Sequence, residues 1–152
     1  MTIFHSMNTT ASALTAQRLR MDVISSNMAN VDTTRGKIVN GQWQPYKRKM
    51  VVFEPKEQGF SSFLNIAMNK KGVQNIGEGL KVSKIIEDET PFKMVYDPEH
   101  PDANQDGYVA MPNVDPLREM VDLMSATRSY EANVTVFNAS KNMMMKALEI
   151  GK

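Results

Sequence analysis

Residues 3–31 read IFHSMNTTASALTAQRLRMDVISSNMANV. Stepping alternately by four and three from Ile3 picks out Ile3, Met7, Thr10, Leu14, Gln17, Met21, Ile24, Met28 and Val31. Seven of these nine are apolar. That is the a/d spacing of a coiled-coil seam, narrower than the stripe of a helix lying on a globular core. No Gly or Pro interrupts the stretch, so it predicts one helix of about 40 Å at 1.5 Å per residue. Asn30 is expected to end it, because Asn tolerates the left-handed conformation of a helix C-cap.

The other end of the chain repeats the pattern. Asp115-Pro116 is a helix start, with Asp as N-cap and Pro at the first helical position. Glu119 places negative charge in the first turn, favourable against the helix dipole. The stripe then runs Met120, Leu123, Thr127, Tyr130, Val134, Phe137, Lys141, Met144 and Leu148, again with seven apolar residues of nine. A helix on the order of 50 Å follows.

Between the two, the signals change. Asn40-Gly41, flanked by Lys37-Ile38-Val39 and Gln42-Trp43-Gln44, predicts a tight hairpin. Tyr46 to Phe53, Leu80 to Glu87, Phe92 to Tyr96 and Tyr108 to Met111 read as strands. Seven of the eight glycines and every proline but Pro116 fall in this middle part, as expected of turns rather than long helices. Phe60, Phe63, Leu64, Ala67 and Met68 have helical spacing, which suggests a short helix over Ser61 to Asn69. The rest of 54–79 reads as flexible loop.

The expected fold is therefore α+β. Long N- and C-terminal helices, residues 1–31 and 115–152, pair antiparallel in coiled-coil fashion, and a small β-rich insert, 32–114, lies between them. Two helices cannot bury both flanks of their stripes, and leftover apolar surface on a globular chain marks an association site. The competing expectation is a closed monomer, with the helices packed onto the insert.

Composition narrows the classes. With 152 residues, 41% hydrophobic and net charge +1, the chain is one domain by length, not wholly disordered, and not a strongly basic nucleic-acid binder. It has no cysteine, hence no disulfide framework, zinc-thiolate site or cysteine nucleophile. No apolar run approaches the roughly 20 residues of a membrane span. Ala11-Ser12-Ala13 imitates a signal-peptidase site, but no Lys or Arg precedes it, and no cleavable signal is expected. Methionine occurs thirteen times. It is a soft side chain suited to interfaces that must adapt, although on count alone it could equally fill a core.

Motifs for chemistry are weak. Asp102-Ala103-Asn104-Gln105-Asp106-Gly107 matches the start of a calcium-binding EF-hand loop, but the twelfth position, where a bidentate Glu is required, is Asn113. The bland expectation is a loop whose Asp and Asn side chains bond their own backbone. Arg35-Gly36-Lys37 resembles the end of a phosphate-binding loop by chance, since Ile38 stands where Ser or Thr is needed. Lys47-Arg48-Lys49 is expected to be a solvated strand face. His5 and His100 have no nucleophile at a recognisable spacing. No catalytic residue, cofactor or metal site is predicted, and the chain is not expected to be an enzyme.

Ser25-Ser26-Asn27-Met28-Ala29-Asn30-Val31-Asp32-Thr33-Thr34 resembles the N-terminal signature of bacterial flagellar axial proteins. Ser12 to Asp22 extends the match. So do Pro112 to Pro116, Glu119 to Asp122, Arg128 to Val134 and the 96–111 stretch containing Tyr96-Asp97-Pro98 and Asp106-Gly107-Tyr108-Val109. Within that family the resemblance is to the rod proteins of the flagellar basal body. It implies a structural subunit of the proximal rod, exported through the flagellar type III apparatus without a cleaved signal. Its implied partners are other rod subunits and copies of itself, with no nucleic acid and no membrane span. The alternatives are a different rod or axial protein, or, in another class, a small dimerising β domain that binds a ligand. The assembly interface is assigned to Met7, Leu14, Met21, Ile24, Asn27, Met28, Asn30, Met120, Leu123, Tyr130, Val134, Phe137, Met144 and Leu148.

Overall fold

A computed structural model describes residues 3–56 and 79–150. The element order is helix α1 (Ile3–Ala29), strands β1 (Lys37–Val39), β2 (Gln42–Gln44), β3 (Lys49–Pro55), β4 (Leu80–Glu87), β5 (Lys93–Tyr96) and β6 (Tyr108–Met111), then helix α2 (Pro116–Ile150). The architecture is α+β, as expected. The strands form three two-stranded sheets, β1–β2, β3–β4 and β5–β6. The short helix expected over Ser61 to Asn69 lies outside the described residues.

Local chemistry accounts for most of the boundaries. In the β1–β2 hairpin Ile38 sits opposite Trp43, and Asn40 and Gly41 take φ of 53° and 80°. Positive φ at both central residues is what a type I′ turn demands, and its twist matches that of the flanking strands. Helix α2 starts at Pro116 because Asp115 Oδ1 accepts the Leu117 N–H at 3.0 Å, satisfying one of the donors that a helix start leaves open. Helix α1 ends differently from the expectation. Asn40 is the non-glycine residue with positive φ among those described, so Asn30 does not adopt a left-handed cap. Instead its side-chain amide donates back to Ser26 O at 2.8 Å, and the chain leaves the helix through a tighter Asn30 N–H to Asn27 O turn.

The contacts divide the chain into two compact units. The first comprises Met1–Arg18, Val52–Lys84 and Thr127–Lys152. Among the described residues its buried ones are Thr10, Ala16 and Ser140. Here Ser12 Oγ accepts the Leu80 N–H at 3.0 Å and donates to Thr9 O at 2.7 Å, which ties α1 to the start of β4.

The second unit comprises Leu19–Val51 and Ile85–Ala126. Val23, Ile24, Pro45, Val109, Pro112 and Ala126 are buried apolar residues of this unit, joined by Asn27, Arg48 and Glu119. Arg20 of α1 reaches Asp122 of α2, and Asn27 reaches Glu119. Numbers rise on one helix as they fall on the other, so the two run antiparallel within this unit.

Strand β3 begins at Lys49 rather than Tyr46, and in the segment before it Tyr46 bonds Asn27 of α1 and Arg48 bonds Glu119 of α2. The expectation of a solvated Lys47-Arg48-Lys49 face fails at its middle residue. Lys49 is exposed and Lys47 half-buried, but Arg48 is buried. Successive residues of an extended segment point to opposite sides, and here the middle one points inward.

Candidate functional site: a buried polar junction of the two terminal helices

The most elaborate side-chain constellation lies in the second unit, and it is ionic. Arg48 Nε donates to Glu119 Oε1 at 2.6 Å. Its Nη2 lies 3.3 Å from Asp122 Oδ2 and its Nη1 lies 3.7 Å from Asp88 Oδ2. Asp122 also takes Arg20 Nη2 at 3.2 Å on its other oxygen. Two guanidinium groups thus meet three carboxylates. Glu119 is 0% exposed, so a bare carboxylate there is untenable without a directed partner. It stands in the first turn of α2, as expected, and there also serves this internal junction.

Asn27 completes the junction from α1. Its Nδ2 donates to Glu119 Oε2 at 3.0 Å and to Lys49 O at 2.9 Å. Its Oδ1 accepts from Lys49 N–H at 2.9 Å and from Tyr46 O–H at 3.0 Å. Every donor and acceptor of this amide is therefore engaged. The backbone of Arg48 is held too. Its N–H donates to Asn113 Oδ1 at 2.8 Å, and its C=O accepts the Asp88 N–H at 2.8 Å. Asn113 in turn binds Thr90 O and Thr90 Oγ1. The Asp88 carboxyl sits below the ordinary carboxylate range. The Thr90 N–H bond is the main cause; burial opposes it, and the Thr90 hydroxyl, Arg48 and Arg118 add to the lowering.

A second, exposed ion pair anchors the 97–107 loop. Asp102 Oδ1 accepts from Arg35 Nε at 2.8 Å and Oδ2 accepts from Thr34 Oγ1 at 2.8 Å. These bonds, Arg35 first, hold the Asp102 carboxyl low, and the same pair raises Arg35. Elsewhere in the loop Asn104 Oδ1 accepts the N–H groups of Asp106 and Tyr108, and Asp97 Oδ1 accepts that of Glu99. These are the side-chain-to-backbone turns expected of this stretch.

The outer side of α2 has the opposite character. Leu117, Met120, Val121 and Met124 are 75%, 50%, 61% and 61% exposed. At 100° per residue Leu117, Val121 and Met124 lie across the helix from Glu119 and Ala126, both 0% exposed, and Met120 lies on the flank beside them. The start of α2 is thus inverted relative to a surface helix: polar and ionic inside, apolar outside.

The other predicted seam residues are dispersed. In the second unit Ile24 and Asn27 are buried, Met21, Met28, Asn30 and Leu123 are half-buried, and Met120 is exposed. In the first unit Met7, Leu14, Tyr130, Val134, Phe137 and Met144 are half-buried and Leu148 is exposed. Arg48, Tyr46, Asp88 and Asn113 belong to the junction but not to the predicted set. Among the described residues no helix is long and apolar enough to cross a membrane.

Comparison with known proteins locates the junction within a family pattern. Residues 7–36 match the family described as "Flagella basal body rod protein", and residues 105–150 match "Flagellar basal body rod FlgEFG protein C-terminal". The "Flagellar basal-body rod protein FlgC" of Bacillus subtilis (strain 168) is 66% identical over 152 residues, covering the whole of both chains. The chain belongs to the FlgC family. Similarity persists at distance: the FlgC of Borreliella burgdorferi is 43% identical over 99% of this chain and 98% of its own. That of Escherichia coli O6:H1 is 42% identical over the full length of both. Asn27 lies in one family-matched segment and Glu119 in the other, while Arg48, which bonds Glu119 and whose neighbour Lys49 bonds Asn27, lies in neither.

Proposed function

We propose that this chain is a structural subunit of the proximal part of the flagellar basal-body rod, joined to copies of itself and to other rod subunits through its terminal helices. The observation that carries this reading is the inverted start of α2. Three apolar side chains, Leu117, Val121 and Met124, face solvent on the side opposite a buried ionic junction, with exposed Met120 beside them. Such a face is unfavourable on an isolated chain, and an assembly covers it. Contacts between unlike surfaces that do not close on themselves generate filaments and rods.

In this reading 1–31 and 115–152 form the assembling part and 32–114 the insert. The half-buried seam residues, Met7, Leu14, Met21, Met28, Tyr130, Val134, Phe137 and Met144, have apolar surface left for neighbours, as does exposed Leu148. The role is architectural rather than catalytic. The resemblance to axial proteins supports delivery through the flagellar export apparatus.

The test is Met124→Lys in the full chain. A charged side chain on a face buried in the rod is costly unless paired, yet in the free subunit it stands in water. The variant is expected to keep the wild-type melting temperature while failing to restore swimming to a strain lacking the gene. Normal swimming with intact basal bodies would overturn the assignment.

A further inference from the structure

We infer that Asn27, Arg48 and Glu119 are positioning residues that lock the rotation of α2 about its own axis, and so hold the Leu117–Met124 face outward. This rests on the assembly reading given above and deepens it. The need for a lock follows from the two faces. Hydrophobic burial has no direction. Left to that force alone, the first turns of α2 would roll about half a turn, covering Leu117, Val121 and Met124 and surrendering Glu119 to water. Directed bonds prevent this. Glu119 Oε1 is held by Arg48 from the segment before β3, and Oε2 by Asn27 from α1. Two partners on different elements, one at each oxygen, define a single rotational setting, since hydrogen bonds weaken steeply off-axis. Rolling would also strand a buried guanidinium, because Arg48 itself is only 8% exposed.

Buried ion pairs are often no more stabilising than apolar residues of similar volume, and fixing register is their best-attested use. The cluster therefore acts on specificity: it selects the setting that assembles over the setting that buries most apolar surface in the monomer.

The experiment compares methionine oxidation by dilute peroxide in the full-length chain, read by peptide mass spectrometry. Met94, exposed on β5 and remote in sequence from α2, is the internal reference. In the wild type Met120 and Met124 should oxidise at rates like that of Met94. In Arg48→Met/Glu119→Leu, where the bonds to Glu119 are gone, the volume is roughly kept and the half-exposed Arg20–Asp122 pair is left between the helices, Met124 should slow several-fold while Met94 is unchanged. Glu119→Gln, which keeps an acceptor for Arg48, should restore wild-type rates. If the double variant does not fold, Glu119→Leu/Asp122→Leu, in which Arg48 keeps Asp88, carries the same expectation. Wild-type oxidation of Met124 in a folded variant carrying Leu in place of Glu119 would overturn the lock. A Met124→Lys chain that assembles sinks the assembly reading instead, and leaves the oxidation result standing.

Discussion

Asn27 on α1 and Glu119 on α2 stand 92 residues apart in the chain and meet at 3.0 Å, both sealed from water. The pair joins the two ends of the sequence through hydrogen bonds rather than through apolar contact, and its removal has a calculable consequence. Asn27→Ala leaves one Glu119 oxygen and the Lys49 N–H and C=O short of a partner, while the Tyr46 hydroxyl keeps Ser26 Oγ at 3.5 Å. Each buried polar group so stranded costs about 1–3 kcal/mol, so a loss of about 3 kcal/mol or more is expected in urea unfolding. Asn27→Asp should be no better, since it sets a second carboxylate against Glu119 and the Lys49 carbonyl.

Gly36 is fixed by a close approach of backbones. A Cβ there would lie 2.8 Å from both Cα and N of Tyr46. Gly36 N–H donates to Gln44 O, and Tyr46 N–H to Thr33 O, so neither strand can back away without breaking the base of the hairpin. Gly36→Ala should cost about 1–3 kcal/mol. Gly41→Ala meets no atom but must hold φ near 80°, and should cost only about 1–2 kcal/mol. Thermal melts of the two variants separate the steric effect from the conformational one.

The helix start at Asp115 is exposed and self-contained. Asp115→Ala removes the acceptor of the Leu117 N–H and should cost about 1 kcal/mol. Asp115→Asn or Asp115→Ser should restore most of it, as followed by denaturant titration.

Acid should loosen the loop anchor before neutral pH does anything to it. The Asp102 carboxyl is held low by Arg35 and Thr34, so the folded chain binds its proton less readily than the unfolded chain, whose reference value is about 3.9. Stability from this group is fully present above that value and is lost as pH falls through the lower folded one. The melting-temperature gap between wild type and Asp102→Asn should therefore be constant from about pH 7 to pH 5 and close below about pH 4. A gap that widened in acid would contradict the assignment. Asp88, lowered chiefly by Thr90, adds to the loss in the same direction and window.

What could be read from the sequence was local. The Asn40-Gly41 turn, strands β4 and β6 to the residue, and the Asp115-Pro116 start each depend on a few neighbours, and each formed where its residues called for it. The junction depends on distant partners. Arg48 looks like one cation among three, and Glu119 like an ordinary first-turn acid, until Asn27 and the 46–49 segment are brought together. The same limit explains the shifted seam of α2. The apolar stripe passes through Met120, Thr127 and Lys141, but the buried positions are Glu119, Ala126 and Ser140, each one residue earlier. Small and paired polar side chains occupy the closest-packed line, which an apolar count passes over, and the apolar residues flank it.

Trp43 sits on β2 with 56% of its surface in water, beside its cross-strand neighbour Ile38. It is the sole tryptophan of a chain without cysteine. Excitation of indole therefore reports on one place, and a thiol introduced anywhere is the only thiol present. The free subunit should emit at long wavelength, and contact that dries the hairpin should shift the emission to the blue. Energy transfer from Trp43 to an acceptor dye on a cysteine placed at Met94, exposed on β5 and outside the α2 face, then gives an optical ruler, needing no further label, for following how subunits come together in time.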